Sequence, residues 1–364
     1  MIKILHIGLS SNPGGVENLL YNYLKYINKE QFQFDFADIY NEGLAFETEM
    51  RSLGATIINF PNYKKSPLQF IERFNNYLMT NSYDIIHIHM QSAANLLPIF
   101  WAKRSGSIVI CHSHSSSTPK GFLRKFLNKI NQKYLKRLDI VKWACGIQAG
   151  QWMWGKSFDK ENVIPNAIDT KKFIYNDKLR VEMRNKLKLS NEDRVLGFVG
   201  RFGDEKNIFF LLEILEELLK KSNTYKLVCV GDGDLYQEFL NKVVEKNLVN
   251  NVYCVGRQHN TASWYQLFDI FLLPSFFEGF PVVAVEAQAS NIPCFLSNTI
   301  AKEINLSKNI YFLPLKDASK WSTRIDTTFV SYKRSQFGSF DYRYDITQAI
   351  SILENKYRVL VRKE

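Results

Sequence analysis

The chain has 364 residues, 46% of them hydrophobic and 23% charged, an ordinary globular composition with length enough for two domains. Its formal net charge of +11 points to an anionic partner: a nucleotide, a lipid headgroup or a nucleic acid. No apolar run approaches the roughly 18 residues of a membrane span, the amino-terminal stretch is too short and polar for a signal sequence, and Cys111, Cys145, Cys229, Cys254 and Cys294 form no C-x-x-C pair, so a reduced, cytoplasmic protein is expected.

Residues 2–8 read as a buried strand, followed by Ser10-Ser11-Asn12-Pro13-Gly14-Gly15-Val16-Glu17 and a helix over 18–26. A strand, a glycine loop and a helix let the backbone approach a phosphate, although a plain turn has the same spelling. Strand-like runs at 32–39, 56–60, 84–89, 107–112 and 143–147 alternate with helical patterns. That alternation predicts βαβ units and a parallel sheet, with ligands beyond the carboxyl ends of the strands. Two of those ends carry His87-Ile88-His89 and His112-Ser113-His114. Positions i and i+2 of a strand share a face, so H-x-H can chelate a metal or line a polar cleft. Carboxylate or further histidine partners are missing, so a cleft lining is expected and no metal.

Residues 119–142 are strongly basic, with eight Lys or Arg against Asp139 alone. Within 121–138, Leu123, Phe126, Leu127, Ile130, Tyr134 and Leu138 make an apolar stripe at helical spacing. The stripe fits a core-packed helix with a solvated basic face, and equally an interfacial helix drawn to anionic lipid. After Val163-Ile164-Pro165-Asn166-Ala167-Ile168-Asp169 the pattern restarts, with strands at 195–200, 226–231, 252–256, 269–273, 294–297 and 311–313 and a helical tail over 341–364.

The first strand of this half ends in Gly200-Arg201-Phe202-Gly203-Asp204-Glu205-Lys206-Asn207. Arginine offers a planar fork and lysine a point charge, and both suit a diphosphate. Asp232-Gly233-Asp234 reads as a turn opening a helix, where aspartate is a natural N-cap, rather than as metal ligands. An apolar strand, 270–273, then leads through Pro274-Ser275-Phe276-Phe277-Glu278-Gly279-Phe280-Pro281 into Val282-Val283-Ala284-Val285-Glu286-Ala287-Gln288-Ala289. Pro281 suits the first helical position, and Asn291 can adopt the left-handed conformation that ends the helix. This helix is apolar on nearly every side, which predicts burial. Its first-turn N–H groups and positive dipole end favour a phosphate. Glu278 and Glu286 would repel a diphosphate, so they belong on its hydroxyl-rich neighbours, a sugar and a ribose, unless they are merely a capping and a surface glutamate.

The spelling P-S-x-x-E-G-x-P, with seven residues between Glu278 and Glu286, resembles the retaining glycosyltransferases of family 4, which have the GT-B fold. The resemblance implies an α/β protein of two facing Rossmann-like domains with a cleft between them. In that family the first Glu and the amides after it hold the donor sugar, which here implicates Glu278, Gly279, Phe280 and Pro281. The Val282 amide then meets phosphate and Glu286 the ribose. P-G-G-V-E matches the family's first loop and points to Gly15 at the donor phosphate. G-R-x-x-x-x-K-N matches its diphosphate cations, Arg201 and Lys206. A histidine at the end of the later strand faces the sugar, and His114 fits best, with His112 its neighbour. The Gly256-Arg257 turn is the usual place of contact with the base. Residues 163–169 resemble the family's I-P-N-G-I-D, with Ala167 for glycine, and Gly146 stands where many relatives have serine.

The expected domains are 1–167 on the acceptor side, 168–340 for the nucleotide sugar, and a tail, 341–364, crossing back to the first. The expected function is retaining, metal-independent hexosyl transfer with no cofactor. The donor is a nucleotide-diphospho-sugar, UDP rather than GDP, and the acceptor a lipid-linked glycan of bacterial surface polysaccharide assembly. The site is cytoplasmic, at the inner face of the plasma membrane if 121–138 meets lipid. Rival enzyme readings are a nucleotide-sugar epimerase or hydrolase using His112, His114 or Glu278, and a metal-dependent hydrolase using the H-x-H pairs. A nucleic-acid-binding protein is the non-enzyme rival, but the lysines do not alternate with aromatics in an RNA-binding pattern.

Overall fold

Among the described residues twelve strands form where the apolar runs predict them, and they sort into two six-stranded parallel sheets. The computed structural model describes residues 1–116, 118–119, 121–332, 334 and 340–362. Lys120, in the basic segment, and Lys363 and Glu364, at the end of the helical tail, lie outside the described residues. By their internal contacts one unit comprises Met1–Ile168 with Tyr342–Glu364, and the other Asp169–Asp341.

The first unit runs β1 (Ile2–Ile7), α1 (Gly15–Tyr26), β2 (Phe32–Asp38), α2 (Glu47–Ser52), β3 (Thr56–Asn59), α3 (Pro67–Thr80), β4 (Ile85–Met90), α4 (Leu97–Arg104), β5 (Ile108–Ser113), α5 (Phe122–Leu135), β6 (Val141–Ala144) and α6 (Ile147–Trp154). Its sheet order is β3-β2-β1-β4-β5-β6. The chain winds outward from β1 and then from β4, so the crevice between them is the topological switch point where such sheets bind ligands. Gly8 leaves β1 with φ +113°, and a Cβ there would stand 2.2 Å from the His89 carbonyl oxygen of β4. Only glycine allows that conformation and that approach together.

The second unit runs α7 (Asp177–Lys186), β7 (Arg194–Val199), α8 (Phe209–Leu219), β8 (Tyr225–Val230), α9 (Tyr236–Glu245), β9 (Val252–Cys254), α10 (Thr261–Leu267), β10 (Ile270–Leu273), α11 (Val282–Ala289), β11 (Cys294–Ser297), β12 (Ile310–Leu313) and α12 (Ala318–Ser331). The order β12-β11-β10-β7-β8-β9 repeats the first topology, with its switch point between β7 and β10. The last helix, α13 (Ile346–Arg362), belongs to the first unit. There Ile350, Leu353 and Tyr357 join Leu20 and Tyr23 of α1 over the sheet face formed by Ile4, Phe34, Ile85 and Ile110. Phe70 and Phe74 of α3 and Ile99 of α4 cover the opposite face, formed by Leu5, Ile7, Ile86 and Ile88.

Four local readings are corrected. The first helix starts at Gly15, not Asn18, because Gly14 serves as its N-cap and Glu17 lies in its first turn. β6 ends at Ala144, and Ile147 opens α6 instead of ending the strand. Pro281 is the N-cap of α11 rather than its first residue, with an extended ψ of 98°. Asp232 and Asp234 do not cap α9, whose N-cap is Leu235. Asn291 does take the left-handed conformation, with φ 51°.

Most of the apolar stripe of the basic segment is not packed in the core. Of that stripe, Leu123, Phe126, Ile130 and Tyr134 are 48–67% exposed and Leu127 is 36% exposed, Leu138 packs against the core, and Phe122 beside the stripe is 88% exposed. The inward side of α5 joins buried Leu135 to polar residues. Asn128 Oδ1 accepts from the Ala93 N–H at 2.8 Å, and Asn131 Nδ2 donates to the Ala93 carbonyl at 2.7 Å. Arg124, Lys125, Lys129 and Lys133 are exposed beside the stripe. Among the described residues no helix is long and apolar enough to cross a membrane.

Candidate functional site

At the switch point of the second sheet, the loop after β7 carries Arg201 and Lys206 and the loop after β10 carries Glu278. The two loops are tied together. The Phe276 N–H donates to the Glu205 carbonyl at 2.9 Å, and Lys206 Nζ meets Glu278 Oε1 at 2.6 Å. Ser275 Oγ donates to the same carboxylate oxygen at 2.6 Å. Both side chains of the ion pair are largely withdrawn from solvent, at 15% and 13% exposure, so the pair is short, charge-assisted and weakly screened. Lys206 and Glu278, read from sequence as belonging to phosphate and sugar, are thus direct neighbours.

Next to them stands the mouth of α11, whose N-cap, Pro281, makes no side-chain cap hydrogen bond. Gly279 is partly buried and Phe280 buried in the approach to it. Val282 is the first helical residue and presents its amide there. Ala284, Val285, Ala287 and Gln288 are buried, which holds the helix end rigid against the sheet. Glu286, one turn on, accepts a 2.7 Å hydrogen bond from Tyr265 Oη. Burial raises its pKa to about 7, with the tyrosine's hydrogen bond pulling the other way. Tyr265, in α10, was not singled out from sequence, because nothing in its spacing marks it as a neighbour of Glu286.

Arg201 lies further out, with its side chain 58% exposed, 3.2 Å from Asp234 and 3.7 Å from Glu205. Asp234 is therefore a partner of Arg201, and Asp232 Oδ1 accepts from the Gly233 N–H in its own turn. Arg257 is exposed after β9, where Gly256 has φ +67°. A Cβ on Gly231, φ +137°, would stand 1.9 Å from the Gly200 carbonyl oxygen, so the ends of β7 and β8 meet in a way only glycine permits.

In the first unit Gly15 is exposed as the first residue of α1. The loop before it is braced by Glu17, buried, whose carboxylate accepts from both the N–H and the hydroxyl of Ser10 at 3.0 Å. The loop's glycines drew attention in the sequence, whereas this brace did not. His114 follows β5, nearly buried at 8% exposure. The two H-x-H pairs do not stand alone. His6 of β1 joins them, so five of the chain's six histidines share one sheet face. His6 Nδ1 lies 3.1 Å from His89 Nε2, and His89 Nδ1 lies 3.0 Å from His114 Nε2. His87 Nε2 lies 3.2 Å from His112 Nδ1, and His87 Nδ1 lies 2.7 Å from Tyr357 Oη. Burial lowers all five pKa values, to about 3 for His6 and His114, so the rings are neutral.

The raised pKa of Glu286 makes a stability prediction. Its unfolded-state value is near 4.5 and its folded value about 7, so the folded protein loses stability as pH rises from the first towards the second. The full loss corresponds to roughly 3 kcal/mol. Glu286→Gln, which cannot ionise, is expected to unfold at a higher temperature than the parent, by a margin that grows from pH 5 to pH 7.5 and then levels. A margin independent of pH in thermal unfolding would show that the carboxyl ionises normally.

Two family models match the chain: Glycosyltransferase Family 4 over residues 13–172, and Glycosyl transferases group 1 over residues 180–328. EpsF of Bacillus subtilis (strain 168) is 28% identical, over 100% of this chain and 98% of its own length. The capsular polysaccharide biosynthesis glycosyltransferase CapH of Staphylococcus aureus is 28% identical over 91% and 89%. The UDP-Gal:alpha-D-GlcNAc-diphosphoundecaprenol alpha-1,3-galactosyltransferase of Escherichia coli is 26% identical over 82% and 79%. Among solved structures, Anabaena HepE in complex with UDP superposes with a TM-score of 0.75 at 17% identity, over 100% of this chain and 98% of that one. With the matched models spanning both units, and both units built as Rossmann-like sheets, the chain belongs to the family 4 glycosyltransferases of the GT-B fold.

Proposed function

We propose that this glycosyltransferase moves a hexose, with retention of configuration and without a metal, from a UDP-sugar to a lipid-linked glycan during assembly of a bacterial surface polysaccharide. The observation that carries the reading is the Lys206–Glu278 pair beside the Pro281-led mouth of α11, at the switch point of the second sheet. The relatives add the pathway and the donor: CapH is named for capsular polysaccharide biosynthesis, the Escherichia coli enzyme for UDP-Gal and a diphosphoundecaprenol acceptor, and HepE was solved with UDP.

In this reading the donor diphosphate lies against the amides of α11, with Arg201 and Lys206 as its cations, and in the first unit the Gly15 loop is the phosphate-approach element. Glu278, Gly279, Phe280 and Pro281 hold the sugar, Glu286 the ribose, Arg257 flanks the base, and His114 contacts the sugar. Lysine has three N–H donors, so Lys206 can keep Glu278 while donating to a phosphate oxygen. As the glycosidic C–O bond breaks, negative charge grows on the departing phosphate. Fixed cations and an oriented helix end stabilise that charge without reorganising, usually the largest catalytic contribution. The acceptor hydroxyl then attacks from the face the leaving group departs, which retains configuration. A thermal-shift series with UDP-, GDP- and ADP-sugars tests the donor class, because a ligand of the native state raises apparent stability by mass action.

The exposed face of α5 fits the lipid-linked acceptor. Phe122, Leu123, Phe126, Ile130 and Tyr134 offer apolar area, and the flanking cations attract an anionic leaflet at about 1 kcal/mol each. The protein therefore works on the cytoplasmic face of the membrane as a peripheral enzyme.

Arg201→Ala and Lys206→Ala are each expected to lower turnover by roughly a hundredfold or more, the scale of losing one donor to a developing oxyanion. Near-normal rates in both folded variants would remove them from the mechanism. Transfer should persist in EDTA, and its loss with rescue by Mn²⁺ would make Asp232 and Asp234, or the H-x-H pairs, ligands of a catalytic metal. The protein should co-sediment with vesicles containing anionic lipid but not neutral ones, less so at high salt. Changing Arg124, Lys125, Lys129 and Lys133 to Glu should abolish this while leaving donor hydrolysis intact. Equal partitioning onto both vesicle types, or onto neither, would favour a soluble acceptor.

A further inference from the structure

We infer that His89, His112 and His114 form a binding site for a divalent transition-metal ion of the Zn²⁺ class, separate from the chemistry of transfer. One ring nitrogen from each of the three lies within 4.8 Å of the others. Which nitrogens face inward follows from the partners of the rest. His89 Nε2 is engaged by His6 Nδ1, and His112 Nδ1 by His87 Nε2, whose own Nδ1 is held by Tyr357 Oη. That leaves His89 Nδ1 with His114 Nε2, 3.0 Å apart, and His112 Nε2, which is buried with no hydrogen-bond partner. Two nitrogens on one tetrahedral zinc, each 2.0–2.1 Å from it, stand about 3.3 Å apart. The 3.0 Å spacing of His89 Nδ1 and His114 Nε2 is already close to that one.

The protons balance. A neutral imidazole carries one proton and ligates through its other nitrogen. With His89 bound through Nδ1, its Nε2–H donates to His6. With His112 bound through Nε2, its Nδ1–H donates to His87, whose Nδ1–H donates to the Tyr357 oxygen. The proton now shared by His89 and His114 moves to an outer ring nitrogen, ending on His114 Nδ1, which has no partner in its absence. Three dative N–metal bonds form, one hydrogen bond is given up, and no proton leaves. The outer histidines and Tyr357 then act as the hydrogen-bonded supports that fix the orientation of ligating imidazoles.

Three neutral imidazoles select zinc, copper or nickel over magnesium or manganese, which prefer oxygen. They leave a fourth position for water. The second histidine group, His6 with His87 and His89, is sealed deeper in the sheet face, whereas His114 stands at its rim. Because His114 was assigned to the donor sugar, a metal on its Nε2 makes its Nδ1 a fixed donor. Only this effect on transfer rests on the reading given above.

The test uses the full chain, stripped with EDTA and dialysed. Co²⁺ should give one equivalent of the intense visible absorption of a tetrahedral nitrogen site, displaced by Zn²⁺, and Zn²⁺ alone should raise the unfolding temperature with concentration. His112→Gln should lower Zn²⁺ affinity at least tenfold in competition with a chromophoric chelator, while His259→Gln, at the exposed sixth histidine, should leave it unchanged. Absence of tetrahedral cobalt absorption in the parent protein, or affinity that His112→Gln does not change, would overturn the site. Should zinc load as expected yet leave the KM for donor unaltered, the site stands and the contact of His114 with the sugar falls.

Discussion

The Lys206–Glu278 ion pair is the contact through which the second unit becomes a site. Its partners come from loops that leave β7 and β10 in opposite winding directions, so neither loop positions the other through the chain. Pairing two charges that are mostly withdrawn from water gains little net stability, because desolvation offsets much of the attraction. Removing one partner is different, since the other is left as an uncompensated charge. The pair therefore fixes geometry more than it adds stability. It holds a cation and a hydrogen-bond acceptor at 2.6 Å, beside a helix end whose N-cap, Pro281, has no side chain able to cap it. A ligand with a phosphate next to polyol hydroxyls can satisfy all three groups together.

Much of this was legible because parallel α/β sheets translate directly into sequence. Buried strands are apolar runs, their carboxyl ends are where the run stops, and ligand groups cluster just beyond. Arg201, Lys206 and Glu278 do lie in loops beyond strand ends and the H-x-H pairs at the ends of β4 and β5, whereas the roles given to them and to Glu286 come from the family resemblance. The boundary errors were small and came from turns: Gly14 and Pro281 act as N-caps, where spelling alone suggested helix interior or first position. What stayed hidden were partners distant in sequence. Tyr265 reaches Glu286 across 21 residues, and His6 reaches His89 across 83. Strand periodicity showed that His87 and His89 share a face, but not that β1 would lie beside them with a histidine in register.

The histidine array and the ion pair solve opposite problems. In the second unit charge is retained where a ligand can compensate it. In the first, five titratable rings lie on a face otherwise made of Ile4, Phe34, Ile85 and Trp143, and each can avoid an unpaired charge only by remaining neutral. Neutral rings in mutual contact satisfy part of one another's hydrogen bonding, yet a chain of them must end somewhere. The ends here are His6 Nε2, His112 Nε2 and His114 Nδ1, all without partners among the described residues.

The orientation of α5 shows most clearly why a hydrophobic stripe is not a prediction of burial. Periodicity states that a helix has two faces, not which one the rest of the chain requires. Ala93, fully buried in the connection between β4 and α4, needs partners for both its N–H and its carbonyl. Asn128 supplies the acceptor and Asn131 the donor, one turn apart on the helix, and Gln132 adds a bond to the Trp152 carbonyl at 3.2 Å. Leaving such backbone groups unpaired costs about 1–3 kcal/mol each. Turning the stripe inward would bury more apolar area but strand those groups, and turning it outward leaves aromatic and aliphatic side chains in water at about 25 cal/mol per Å². The fold accepts the second cost and leaves Phe122, Leu123, Phe126, Ile130 and Tyr134 exposed beside Arg124, Lys125, Lys129 and Lys133. The hydrogen bonds that Asn128 and Asn131 make to Ala93 thus set which face of α5 meets solvent.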